Sequence, residues 1–304
     1  MDNLTHSLAG ALLGQIGLKR LTGRAMPTLI IAANLPDIDA ISTVVGPSSL
    51  AIRRGITHGP IALVLLPLLL TGLMLAWNRW RPLRDGPPVR PGALLLLAYA
   101  GTLSHPALDW LNSYGIRLLE PFSSKWYAGD TLFIIDLWLW LALLGGVFVS
   151  LRRERSGGAH ASRPALAALA AICVYILANG LITGQAERGT IRTLALGGTA
   201  PTLVVANPVP VEFWRRKLLW RDTASFGDGE YVLGSGPSGL GGRSPLRLDD
   251  PRLTAATRRP EVAAFLFWSR MPIVVDDQAG RAFLTDQRFA SGIARGRFAL
   301  PLDR

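Results

Sequence analysis

Four apolar segments, which approach or reach the length needed to cross a bilayer, most constrain how this chain can fold. They cover residues 60–77, 92–111, 131–150 and 164–183, and a membrane-spanning helix needs about 20 predominantly apolar residues. Two shorter apolar segments, 4–18 and 26–45, precede them. We expect these two to form short or re-entrant helices packed against the others. The predicted fold class is therefore mainly α, a polytopic helical membrane bundle with four to six membrane segments.

The apolar character is concentrated in the first part of the chain. Residues 1–183 hold 15 of the 32 Lys and Arg and 9 of the 21 Asp and Glu, whereas residues 184–304 hold the other 17 and 12. We therefore predict a membrane domain at 1–185, which carries the functional site, and a soluble α+β domain at 190–304. Strand-like runs at 203–206, 231–233, 273–275 and 283–285, a helical run at 260–270 and a loop at 234–244 support the second assignment.

The net charge of +11 has two interpretations, a nucleic-acid partner or the basic loops of a membrane protein. If the segments alternate in direction, 11 Lys and Arg of the first 183 residues fall on one side and 4 on the other. The richer side should be cytoplasmic, which explains most of the charge without a nucleic acid. We expect a multi-pass protein of the cell (inner) membrane, with the bilayer as partner and the C-terminal domain extracytoplasmic.

Ionisable side chains within these apolar segments are the candidate functional residues, because such groups are energetically expensive in a membrane. Three of the four histidines occur in similar short contexts, Thr-His-Ser, Thr-His-Gly and Ser-His-Pro. With the expected topology, the histidines and their acidic neighbours all fall at one depth, toward the outer face. The set is His6, Asp37, Asp39, His58, His105, Asp109, Asp130 and Asp136.

Imidazole and carboxylate groups together are the ligands of zinc and, less specifically, of manganese or iron. One ion or a two-metal cluster is compatible with their number. The spacing of His105 and Asp109 puts both on one helix face, which Asn112 continues. Each residue alone could instead be a buried polar group bonded to a neighbouring helix, and Asp136 could simply cap its helix.

Several motifs occur in an order that resembles the YdjM-like family of membrane-bound metal-dependent hydrolases. They are Met-Asp-Asn-Leu-Thr-His at 1–6, Pro-Asp-Ile-Asp at 36–39, Arg-Arg-Gly-Ile-Thr-His at 53–58 and Ser-His-Pro-Ala-Leu-Asp-Trp at 104–110. The resemblance covers about residues 1–150. The family in turn is distantly similar to zinc-dependent phospholipase C and P1-type nucleases, which hydrolyse phosphoesters with zinc clusters.

The resemblance implies a site as well as a class of reaction. The implied metal ligands are His6, Asp37, His58, His105 and Asp109. Asp39, Asp130 and Asp136 would bind the metal or hydrogen-bond to its ligands, and Asn112 would support them. The region 190–304 resembles a C-terminal extension of longer members and carries no implied function.

The leading hypothesis is hydrolysis of a phosphoester, lipid or lipid-linked, at the outer membrane face, with one or two Zn²⁺ ions, or Mn²⁺, activating water. Asp39 or Asp130 would act as general base. Arg53 and Arg54 could hold the phosphate bidentately, or could only contact headgroups or solvent. Two alternatives belong to other classes, an ion or proton carrier and a non-catalytic assembly protein with a structural metal.

The expected orientation can be tested with reporters fused after Arg304. Alkaline phosphatase folds only outside the cytoplasm, so its fusion should be active, and a green fluorescent protein fusion at the same place should be dark. A fluorescent fusion without phosphatase activity would place the C-terminal domain in the cytoplasm and reverse the predicted topology.

Overall fold

A computed structural model describes residues 1–291 and 296–303. Within this part of the chain, contacts divide the protein into two compact units. The first comprises residues 1–40 and 54–178, and the second comprises residues 41–53 and 179–304 as far as they are described. The domain boundary predicted near 185–190 stays a prediction.

The first unit begins with two short helices. Helix α1, Asn3–Gln15, is capped by the Asp2 carboxylate, which accepts a hydrogen bond of 3.0 Å from Thr5 N. Helix α2, Ala25–Asn34, is followed directly by a 3₁₀-helical stretch, Leu35–Ala51, with non-helical backbone at Val45 and Gly46. The apolar segment predicted at 26–45 is therefore a short regular helix and a tighter, interrupted continuation.

Four longer helices follow in the chain. Their bounds are α3 Pro60–Trp80, α4 Pro91–Trp110, α5 Leu137–Arg155 and α6 Arg163–Leu196. Apolar side chains on α3 remain exposed in the isolated protein, including Leu65, Leu69 and Leu73, each more than half exposed. An uncovered leucine face on a 21-residue helix is what contact with lipid requires.

Within the described residues, three stretches are long and apolar enough to cross a membrane. They are Ala25–Ala51, Pro60–Trp80 and Arg163–Leu196. The segment predicted at 131–150 starts later than expected, because α5 begins at Leu137, and α6 continues past the predicted end at 183. The expected number of four to six spans, like the orientation, stays a prediction.

The second unit is rich in β-structure. In its described part, five strands form an antiparallel sheet in the order β1-β2-β3-β4, with β5 also paired to β3, and three more form the sheet β6-β7-β8. Their bounds, with two short helices, are β1 Leu203–Pro208, β2 Arg215–Arg221, β3 Ser225–Val232, β4 Gly236–Ser238, β5 Ser244–Pro245, α7 Pro251–Ala256, α8 Pro260–Trp268, β6 Pro272–Asp276, β7 Ala282–Asp286 and β8 Ala299–Pro301. The predicted strands and helix overlap elements of the same type, and the predicted loop at 234–244 contains the short strand β4.

Buried arginines organise this second unit. Arg216 on β2 is 1% exposed and donates to Asn179 Oδ1 at 2.9 Å and to Thr183 Oγ1 at 3.0 Å, both on the C-terminal half of α6. The strand therefore contributes to the core of the second unit. The second buried arginine, Arg288, donates hydrogen bonds to both carboxylate oxygens of Asp286, at 2.9 and 2.8 Å.

The buried pair of Asp286 and Arg288 predicts a stability that depends on pH. Burial raises the pKa of Asp286, but the charge of Arg288 and several hydrogen bonds outweigh it, so the pKa is lowered overall. A lowered pKa stabilises the fold above the unfolded-state value of about 3.9 and stops doing so as the pH falls below it. We expect Asp286→Asn to lower the free energy of unfolding by ~3–5 kcal/mol at pH 7, because Arg288 would lose its countercharge.

Pulse proteolysis of the full-length protein across a urea series measures this effect. The matched control is Asp228→Asn, which removes an exposed carboxylate 3.9 Å from Lys217 and should change the free energy of unfolding by less than about 0.5 kcal/mol. Equal losses for the two variants, or a wild-type protein equally stable at pH 3 and pH 7, would contradict the assigned role of the buried pair.

Candidate metal centre

Two glycines bring the helices of the site together. A methyl group at Gly10 on α1 would lie 2.7 Å from the carbonyl oxygen of Leu29 on α2, and one at Gly101 on α4 would lie 2.9 Å from the same oxygen. Small residues of this kind let helix backbones approach closely in membranes. Because His6 lies one turn before Gly10 and His105 one turn after Gly101, the two imidazoles meet near the C-terminal end of α2.

Two histidines and two carboxylates converge at this level. His58 Nε2 and His105 Nε2 are 3.1 Å apart. Asp109 Oδ2 lies 3.6 Å from the first and 3.5 Å from the second. Asp37 Oδ1 lies 3.7 Å from His105 Nε2. One ligand atom from each of the four residues thus lies within 4.8 Å of the others.

The other ring nitrogens are held by oxygen atoms. His105 Nδ1 is 2.7 Å from the carbonyl oxygen of Ala33, which is in the last turn of α2 and can only accept a hydrogen bond. Thr57 Oγ1 donates its hydrogen to Asp39 Oδ2 at 2.8 Å, so it accepts from His58 Nδ1 at 2.9 Å. Both neutral rings therefore carry their hydrogen on Nδ1 and direct the lone pair of Nε2 into the cluster.

Burial keeps these rings neutral, as metal ligands must be. Desolvation lowers the pKa of His58, against the carboxylate of Asp39, which raises it. Two nitrogen lone pairs that face each other at 3.1 Å repel unless a cation lies between them. Ligands 2.0–2.1 Å from a tetrahedral Zn²⁺ ion are roughly 3.3 Å from one another, close to the separations of 3.1–3.7 Å observed here. The four residues therefore fit a divalent metal ion.

His6 extends the cluster on the other side of Asp109. Its ring is fully buried and stacks on His105, with centroids 3.8 Å apart and an angle of 17° between the planes. His6 Nε2 lies 3.3 Å from Asp109 Oδ1, to which the Met1 nitrogen also donates. Neither ring nitrogen of His6 makes a hydrogen bond to the residues that the structure describes. A buried imidazole without hydrogen bonds is costly, and coordination to a metal ion would satisfy its nitrogen lone pair.

Arg54 contributes a positively charged side chain that contacts the cluster directly. Its guanidinium is buried, with Nε 3.0 Å from Asp109 Oδ2 and Nη1 3.0 Å from Asn112 Oδ1. Its backbone N–H donates to Asp39 Oδ2 at 2.7 Å from a left-handed conformation with φ of 51°. The arginine thus connects Asp109 to Asp39, the carboxylate that supports His58.

The remaining predicted residues occupy different places. Asp136 caps α5 by accepting from Leu139 N at 2.9 Å, and it accepts from Tyr175 Oη at 3.0 Å. Asp130 is buried, with φ of 47°, in a turn tied to α4, because Gly129 N donates to the carbonyl oxygen of Trp110 at 2.6 Å. Arg53 belongs to the second unit, whereas the cluster belongs to the first.

The apolar helices and the buried Asp and His residues define a class: a helical membrane protein with a group that could hold a metal ion. Residues 1–186 match the model of the YdjM inner membrane protein family, and the chain belongs to that family. This confirms the resemblance found in the motifs. No curated protein and no solved structure matches the chain.

Metal analysis of the purified protein tests the site directly. We expect at least one equivalent of a divalent transition metal per chain in mild detergent, measured by elemental mass spectrometry. His105→Ala should lose that equivalent, whereas His160→Ala, which removes an exposed histidine from a loop outside the cluster, should retain it. A wild-type protein that binds neither Zn²⁺ nor Mn²⁺ after dialysis against either ion would rule out the site.

Proposed function

We propose that the protein is a metal-dependent hydrolase whose site lies in its membrane unit, and that its substrate is a phosphoester, lipid or lipid-linked, at the outer membrane face. The observation that carries the proposal is the convergence of His58 Nε2 and His105 Nε2, 3.1 Å apart, with a carboxylate oxygen of Asp109 within 3.6 Å of both. The family assignment, to inner membrane proteins, is compatible with it.

In this proposal His58, His105, Asp37 and Asp109 hold the metal, and His6 adds a fifth donor, the third imidazole nitrogen, beside Asp109. A divalent ion such as Zn²⁺ or Mn²⁺ supplies a nucleophile at neutral pH, because it lowers the pKa of water toward 7, and it acts as a Lewis acid. The mixed set of imidazoles and carboxylates suits Zn²⁺ and also accommodates Mn²⁺.

The neighbouring residues have supporting roles. Asp39 accepts from Thr57 and from the backbone of Arg54, and its Oδ2 lies 3.5 Å from His58 Nδ1. A carboxylate behind a metal-binding histidine fixes the ring and raises its basicity. These contacts favour a positioning role for Asp39, and proton transfer by Asp130, the other carboxylate expected as general base, remains a prediction from the sequence.

The positive charge of Arg54 favours the binding of an anionic substrate. Two of its nitrogens already contact Asp109 and Asn112, so we propose that its first task is to orient the Asp109 carboxylate. A guanidinium fixed beside a metal also attracts a phosphate group. Phosphate binding by Arg53 remains a prediction from the sequence alone.

A structural metal is the second candidate function, and one observation favours it. His6, His58, His105 and Asp109 are fully buried, and structural zinc sites are closed, whereas catalytic sites keep an open position. On this alternative the ion would join α1, α4 and the segment before α3 without turnover.

Turnover of a chromogenic phosphodiester and of a phospholipid panel in mild detergent separates the two functions. We expect His105→Ala and Asp109→Asn to lower kcat/KM by at least about 10³-fold, since they remove ligands, and Asp130→Asn by about 10²–10⁴-fold through loss of proton transfer. Asp39→Asn should lower metal affinity or activity by about 10–100-fold. His160→Ala is the control with full activity.

Two outcomes would contradict the proposal. Stoichiometric metal, with stability that depends on it but no hydrolysis of any substrate, would establish the structural role. Metal-dependent movement of ions or protons into vesicles, again without hydrolysis, would establish a carrier instead.

A further inference from the structure

A cavity of about 730 Å³ opens where the ends of four helices of the first unit meet. Its walls come from the turn after α1, the first residues of α2, the loop after α3 and the last turn of α5. The residues that matter for its chemistry are Lys19, Arg20, Arg24, Leu83, Pro87 and Glu154. The cavity contains none of the residues of the candidate metal centre.

The charge in this cavity is predominantly positive. Three cationic side chains face one acid, and Lys19 pairs with that acid, Glu154. Arg20 is exposed and makes no ion pair with the residues that the structure describes. The cavity therefore presents a net positive charge that the protein itself does not neutralise, and guanidinium groups match the geometry of phosphate.

Arg24 is held in the wall of the cavity at a conformational cost. Its backbone adopts a left-handed φ of 62°, which a non-glycine residue keeps only when its surroundings hold it there. Its guanidinium lies 4.2 Å above the centroid of the Trp77 ring and donates to the carbonyl oxygen of Arg81. The first turn of α2 starts at this residue, and the backbone N–H groups of a helix N-terminus add to the attraction for an anion.

The surroundings place the cavity at the level of lipid headgroups. Trp77 and Trp80 occupy the last turn of the membrane-length helix α3, and Trp80 is 80% exposed. Tryptophan is enriched at membrane–water interfaces. Basic pockets between membrane helices at this level bind the phosphates of anionic headgroups.

We propose that this cavity binds a phosphate group, carried either by an anionic lipid headgroup or by a soluble phosphate ester, with Arg20 as its principal ion-pair partner. The site is separate from the metal centre and does not depend on the proposed hydrolase activity. It requires only the geometry and charge of the cavity.

Native mass spectrometry of the full-length protein in mild detergent can test the proposal. The probes are short-chain phosphatidylglycerol, glycerol phosphate and, as the zwitterionic control, short-chain phosphatidylcholine. We expect saturable binding of at least one of the two anionic probes, and Arg20→Gln should weaken it about 10-fold, as expected for one charge-assisted contact. Binding of phosphatidylglycerol alone assigns the site to lipid, and binding of both probes assigns it to the phosphate itself.

The matched control is Arg163→Gln, which removes an exposed arginine outside the cavity and should leave the affinity unchanged. Equal weakening by Arg20→Gln and Arg163→Gln would show that only the overall charge matters and would overturn the proposal. The same conclusion would follow if neither anionic probe bound saturably, or if phosphatidylcholine bound as tightly as phosphatidylglycerol.

Discussion

The carboxylate of Asp109 is the interaction on which the membrane unit depends. It is fully buried in an apolar helical bundle, where an uncompensated negative charge costs several kcal/mol even after the protein relaxes. The Arg54 guanidinium supplies the countercharge, and the Met1 nitrogen donates a hydrogen bond to the same carboxylate. Arg54 comes from the segment before α3 and Met1 from the residue before α1, so the carboxylate on α4 holds both segments beside its helix.

Two glycines and the end of helix α2 make that arrangement possible. Gly10 and Gly101 let α1 and α4 contact the same carbonyl oxygen of α2. Helix α2 ends one residue after Ala33, whose carbonyl oxygen accepts a hydrogen bond from His105 Nδ1. The tighter 3₁₀ stretch that follows carries Asp37 to the cluster and Asp39 behind His58. The change from α-helix to 3₁₀ stretch at Leu35 is therefore part of the site, because it sets where Asp37 and Asp39 lie.

The residues of the cluster could be predicted from the sequence because ionisable groups are expensive in a membrane. The depth expected for them and the order of the motifs pointed to a set that includes His58, His105, Asp37 and Asp109, and the structure brings these four together. What each neighbour does could not be predicted. The contacts of Asp39 and Arg54 depend on a left-handed turn that no local pattern indicates. The burial of Arg216 likewise could not be predicted, because only the tertiary structure places Asn179 and Thr183 opposite its strand.

The burial of the ligands determines where a substrate could reach a metal ion bound in this fold. A substrate phosphate cannot reach His105 or Asp109 through α1, α2 and α4, because their side chains there are fully enclosed. Asp37 is the most exposed of the four ligands, and its neighbour Ile38 is 46% exposed. Asp37 also stands outside the regular helices, in the 3₁₀ stretch, where hydrogen-bond geometry is poorer than in an α-helix. Asp37 is therefore the least enclosed of the four ligands, and a hydrolase built on this fold would admit its substrate most directly beside it.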